Sequence, residues 1–247
     1  MNSAYHRRVA FPTELANSTS RQLQSTSPAL IIPVGAVEQH GPHLPLDTDT
    51  RIATAVARSV ADRLAERNES NWALAPAIGY GASGEHEGFP GTVSIGTSAL
   101  RLLLVEFGRS ASRWASRLVF LNGHGGNVEA LAAAVALLRY EGRDAGWVSC
   151  TAENADAHAG HTETSVLLHI SPTDVWSDEL LPGNREPLSQ LMPRMRQGGV
   201  AAVSELGVLG DPTTATAEDG QRIYLAMVED CLRRIVRWTP NRDGMLT

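Results

Sequence analysis

No lysine occurs in this 247-residue chain; its 21 basic residues are all arginine. Schiff-base chemistry and phosphate binding by a P-loop lysine are therefore excluded. Cysteine is scarce too. Cys150 ends an apolar run and Cys231 falls on the apolar face of a predicted helix, so both read as buried thiols rather than as a disulfide or metal site. Such thiols suit a reducing compartment, and a cytoplasmic location is expected. There is no apolar segment near the N-terminus and no run of ~18 apolar residues, so neither a signal peptide nor a membrane span is expected. The net charge is −6 and no basic cluster stands out, which argues against nucleic acid as a partner.

What is present is a pattern of buried strands and amphipathic helices. Ala29–Val34 (ALIIPV) and Leu118–Leu121 (LVFL) are short apolar runs ended by Gly or Asn, as buried parallel strands are. Weaker strand candidates are Trp72–Ala75 and Gly146–Cys150. Helical stripes recur at Ile52, Val56, Val60 and Leu64, at Val128, Leu131, Val135 and Leu138, and at Ile223, Met227, Cys231 and Ile235. Strands alternating with helices predict a three-layer α/β/α sandwich with a mainly parallel sheet. The length fits one domain over residues 1–247, with a frayed tail after about residue 239. Residues 171–211, rich in Pro and Gly, read as an excursion with a short helix near Leu188–Arg196.

In such folds ligands bind beyond the C-terminal ends of the strands. The unusual polar segments sit there. The first strand runs into GAVEQHGPHLPLDTD (Gly35–Asp49), and the LVFL strand runs into NGHGGN (Asn122–Asn127). HAGHTETS (His158–Ser165) follows the strand near Cys150. Seven of the eight histidines lie in or beside such loops and helix starts; His6 does not. Glu38 and His40 are two residues apart, and in extended chain both point the same way. Asp49 opens a helix, where alone it would read as a cap. Beside Glu38, His40 and His124 it reads as a metal-bridging carboxylate. His124, between glycines, could belong to a phosphate-cradling loop, but NGHGGN does not have the G-x-G-x-x-G pattern of such loops. Glu163 starts an apolar helical stretch, and helix-terminal charge is its other reading. His43 and Asp47 read as supporting residues, and His169 receives no role. Carboxylates mixed with imidazoles suit Zn2+, Mn2+ or Fe2+.

At these residues the sequence resembles the creatininase family of metal-dependent amidohydrolases. GAVEQHGPHLPLDTD, EHEGFPGT (Glu85–Thr92), NGHGGN and HAGHTETS match four family motifs in order. The resemblance implies a homo-oligomer of three-layer domains with two divalent metals per chain. It implies Glu38 and His124 on one metal, His40 on the other, Asp49 bridging them, and His158 as the catalytic histidine. Creatinine-cleaving members carry a ligand glutamate where this chain has Gly126; Glu163 is the expected substitute. They also carry a tryptophan just before the HAG motif, whereas residues 153–157 (ENADA) have none. That argues against creatinine. The opening AYHRRVAFPTELANSTS, PGNREPL and GVLGDPTTATAEDG resemble a peptidase subgroup. Its members release a decarboxylated, crosslinked C-terminal Val-Tyr unit from a ribosomally made precursor peptide.

The chemistry implied is attack of a hydroxide held by two metals on the amide carbonyl, with His158 protonating the leaving amine. Glu85, His86, Gly125, Gly126 and Asn127 are expected along the substrate. Three rivals remain open at this point. A formamide or lactam hydrolase would act on a small heterocycle. A silent escort would bind metal and peptide without turnover. A nucleotide binder would keep its affinity under chelation.

Overall fold

The computed structural model describes residues 14–24, 26–67, 71–152 and 155–247. Four parallel strands form its sheet: β1 (Ala29–Val34), β2 (Trp72–Leu74), β3 (Arg117–Asn122) and β4 (Ala145–Ser149), in the order β2-β1-β3-β4. The helices are α1 (Ser20–Leu23), α2 (Thr48–Glu66), α3 (Gly96–Ala111), α4 (Val128–Tyr140), α5 (His161–Ile170), α6 (Leu188–Gly198) and α7 (Ala217–Arg237).

Period-two alternation divides the strand residues between two apolar layers. Ala29, Ile31, Val119 and Leu121 face α2, α5 and α7. Leu30, Ile32, Val34, Leu118 and Phe120 face α3 and α4. Each such large side chain, fully buried, contributes about 1.5–3 kcal/mol before conformational entropy is counted. Pro33 sits in a central strand, where a missing N–H normally breaks the ladder. Here residues 29 and 35 donate toward the β2 side, to Asn71 and Ile78, so the Pro33 nitrogen faces that side too, past the end of β2.

Strand order reverses between β1 and β3: the chain leaves β1 toward β2 and leaves β3 toward β4. That is a switch point, where the loops after neighbouring strands diverge and leave a crevice. The Gly35–Asp49 and Gly123–Asn127 loops flank it.

One sequence expectation is corrected and another is met. The chain after residue 239 is not frayed. Leu246 is fully buried, Trp147 donates to the Gly244 carbonyl at 3.0 Å, and Leu246 donates back to Trp147 at 2.9 Å, so the tail pairs beside β4. The 171–211 excursion carries the expected short helix, α6, and extends it into a small core. Leu191 and Val200 pack with Leu209 in a small third core that holds α6 over the crevice.

Candidate metal centre

Five side chains named from sequence converge at the crevice. Glu38 and His40 come from the loop after β1, Asp49 from the first turn of α2, His124 from the loop after β3, and Glu163 from the first turn of α5. Asp49 does not cap α2: Asp47 holds the cap position, without a side-chain cap bond, and pairs with Arg51 at 2.6 Å. Asp49 lies one turn-position inward and faces the histidines. Its Oδ1 is 3.2 Å from His40 Nε2 and its Oδ2 is 3.2 Å from His124 Nδ1. Glu38 Oε2 is 3.2 Å from His124 Nε2, and Glu163 Oε2 is 3.8 Å from His40 Nε2.

Whether these residues suit a metal is decided by their unused atoms. Glu38 and Asp49 are almost completely buried. Among the described residues, both Glu38 carboxylate oxygens and Asp49 Oδ2 have no hydrogen-bond partner. Buried unpaired carboxylate oxygens are costly unless a cation meets them. The donor set is also that of a divalent ion. Three groups of ligand atoms lie close enough to share one: Glu38–Asp49–His124, His40–Asp49–Glu163 and Glu38–His40–His158. The first two share Asp49 and together use all five side chains. His40 Nδ1 lies 3.1 Å from the Glu38 backbone carbonyl and so carries the hydrogen, which leaves the Nε2 lone pair for the Asp49–Glu163 side. For these reasons the two sets sharing Asp49 are the better ligand assignment.

Without an ion the cluster retains protons. Burial opposes charge on His40, but the Asp49 carboxylate, with Glu163 and Glu38, outweighs it and raises the pKa to about 10. His124 is likewise raised well above the ordinary range, burial being overcome by Glu38 and Asp49. Burial lifts Glu163 to about 7 against the attraction of His40. His158 moves the other way: burial, then the charges of His40 and His86, hold it well below the usual imidazole value. Burial lowers His86 to about 4. Both rings are therefore neutral at pH 7.

The cluster floors a cavity of about 440 Å³. Glu85, His86, Gly125, Gly126 and His158 line it. Asn127 does not. Its buried amide accepts from Ala82 N and donates to Gly35 O and Asn122 Oδ1, so it ties three loops together behind the site. His43 lies behind the cluster, its Nε2 2.9 Å from Thr164 Oγ1. The His169 ring packs at a tilt of 51° against Tyr224, away from the cavity. Leu188, Met192, Met195 and Arg196 of α6, with Leu209, form the opposite wall. This wall is missing from the sequence reading, because amphipathic spacing marks an apolar face without saying what it covers. The residues before position 14 and at 153–154, used in the subgroup and tryptophan readings, lie outside the described residues.

A family model described as creatininase, creatinine amidohydrolase, matches residues 13–235. The chain belongs to the creatininase family. This family of metal-dependent amidohydrolases accounts for the fold and for an enzyme that hydrolyses amide bonds. A zinc–zinc form of a mutant creatininase superposes with a TM-score of 0.76 at 26% identity, covering 93% of this chain and 99% of that one. A manganese creatininase superposes with a TM-score of 0.74 at 26% identity, covering 93% and 100%. A curated relative from Mycolicibacterium smegmatis, named mycofactocin precursor peptide peptidase, is 71% identical over 247 residues, 100% of both chains. Among the described residues, no helix is long and apolar enough to cross a membrane.

Proposed function

We propose that this chain is a peptidase that cleaves the mycofactocin precursor peptide and releases its modified C-terminal Val-Tyr-derived unit, using two divalent ions per chain. The observation that carries the chemistry is Asp49, one oxygen of which faces each of two overlapping ligand sets. The substrate reading is supported by the 71% identity, over the whole of both chains, to a protein of that name. Glu38, Asp49 and His124 would hold one ion, and His40, Asp49 and Glu163 the other. Zn2+, Mn2+ and Fe2+ all suit these donors. When bound, such ions bring the pKa of water down to about 7 and polarise the scissile carbonyl.

The chain's own residues supply the rest. His158, neutral and at the cavity edge, takes a proton from the attacking water at Nδ1 and returns it to the leaving amine. Leu188, Met192, Met195 and Leu209 give the leaving unit an apolar wall, and methionine adapts to irregular shapes. Residues 153–157 carry no tryptophan to sandwich a flat ring, which disfavours the small-heterocycle alternative.

The test is mass spectrometry of the crosslinked precursor peptide incubated with protein loaded with each ion. Release of the C-terminal unit is expected, with loss on chelation and recovery on reloading. Binding of peptide without release would favour a silent escort protein.

A further inference from the structure

Gln39 lies in sequence between two of the five candidate ligands, and its side chain makes a hydrogen-bond set of its own with Gly41, Gly207 and His86. It is 5% exposed. Its amide orientation is determined by backbone on two sides. Oε1 accepts from Gly41 N–H at 3.0 Å, and Nε2 donates to the Gly207 carbonyl at 3.1 Å. Reversing the amide would oppose oxygen to carbonyl and N–H to N–H. Gly207 has a φ of +76°, and a Cβ there would overlap the Gln39 amide, so the loop bearing Gly207 is shaped around this side chain.

With that orientation fixed, two histidine rings are fixed as well. The second N–H of Gln39 meets His86 Nδ1 at 2.8 Å. His86 must accept there, so its hydrogen is on Nε2, 3.3 Å from Glu38 Oε1. His158 Nε2 lies 2.8 Å from the Gln39 backbone carbonyl, which can only accept. His158 therefore also carries its hydrogen on Nε2. Its bare Nδ1 faces Glu38 Oε1 at 3.7 Å. The 3.1 Å approach of Gln39 Nε2 to His158 Nε2 is then a contact between neighbours that both donate elsewhere.

We infer that Gln39 is a positioning residue: through its side-chain amide and its own carbonyl it makes His86 present an N–H, and His158 a lone pair, to the same carboxylate oxygen of Glu38. The Nε2–H of His86 lies 3.3 Å from Glu38 Oε1, a charge–dipole approach rather than a hydrogen bond, and supports that candidate metal ligand from behind. The lone pair of His158 is the proton acceptor that the peptidase reading requires. Only this second consequence rests on that reading; the tautomers rest on geometry.

The experiment uses zinc-loaded protein labelled with 15N-histidine. Long-range 1H–15N correlation reads which ring nitrogen carries hydrogen. The expected result in the unsubstituted protein is Nε2–H for both His86 and His158. A hydrogen on Nδ1 of either ring overturns the inference without any variant. In Gln39→Glu the donor to His86 becomes an acceptor, and His86 should gain a hydrogen on Nδ1 while the zinc content stays constant. Its kcat for precursor-peptide cleavage should fall about 10- to 100-fold with KM little changed. An unaltered His86 spectrum, or a changed spectrum with unaltered kcat, overturns the role of Gln39. If the unsubstituted protein shows both tautomers but cleaves no peptide, the tautomer assignment stands and the peptidase reading fails.

Discussion

The Glu85 carboxylate occupies the space into which a side chain at position 126 would project. A Cβ on Gly126 would collide with the Ala82 carbonyl oxygen, with His124 Nε2 and with Glu85 Oε1. Glu85 Oε1 itself stands 3.6 Å from His124 Nε2. The glutamate expected there in creatinine-cleaving relatives has no room in this chain.

Gly126→Ala should therefore displace the His124 ring, because the Ala82 backbone cannot give way. Overpacking of this kind costs about 1–3 kcal/mol. The expected outcome is a lower unfolding temperature and loss of metal from the Glu38–Asp49–His124 set. Metal analysis beside calorimetry checks it, and full metal content at unchanged stability would count against the proposed ligand role of His124.

Glu163 offers two readings that one substitution separates. Its Oε2 accepts from Ala159 N–H at 2.6 Å and stands near His40 Nε2. If it holds the second ion, Glu163→Gln should empty the His40–Asp49–Glu163 set and spare the other, roughly halving the metal per chain. If it only stabilises the start of α5, stability should fall by about 0.3–1 kcal/mol with metal content intact.

His158→Ala should leave metal content unchanged and lower kcat by about 10²–10⁴-fold, the usual loss for a proton-transfer group. Loss of metal instead would favour the alternative Glu38–His40–His158 grouping.

Metal uptake should depend on pH in a defined direction. His40 binds its proton up to about pH 10 in the metal-free protein, and only neutral imidazole coordinates. Each ion entering near pH 7.5 must displace protons, so affinity should rise with pH until His40 is neutral. Calorimetry in buffers of different ionisation enthalpy should show release of about one proton or more per chain. Uptake with no proton release would mean that His40 is not a ligand.

Much of this arrangement is legible in the sequence. β1 reads directly from ALIIPV, and three of the four ordered motifs carry the five candidate ligands because each motif is local: a strand end, a glycine and a polar side chain. Helix α3 is less legible, since Leu102 and Leu103, 62% and 40% exposed, blur the stripe made by Leu100 and Leu104. Asn127 is misread, and Gln39 passed over, for a related reason. A polar residue inside a ligand motif looks substrate-facing or idle, and only the three-dimensional path of the Gly207 and Ala82 loops shows what each amide ties together. The apolar wall from α6 likewise depends on where a Pro- and Gly-rich excursion folds back, which no local pattern encodes. The ordered tail is held by the Leu246 side chain packed over Gly146 and by its N–H on the Trp147 carbonyl, contacts between distant segments.

Asp49 would serve both of the ions on which the proposed peptidase activity depends. Asp49→Ala, assayed for metal content and for release of the C-terminal unit from the crosslinked precursor peptide, tests it most directly. The account predicts that both ions and all cleavage are lost while the protein remains folded, since Asp49 adds no cap to α2. Full cleavage by the Asp49→Ala protein would contradict it.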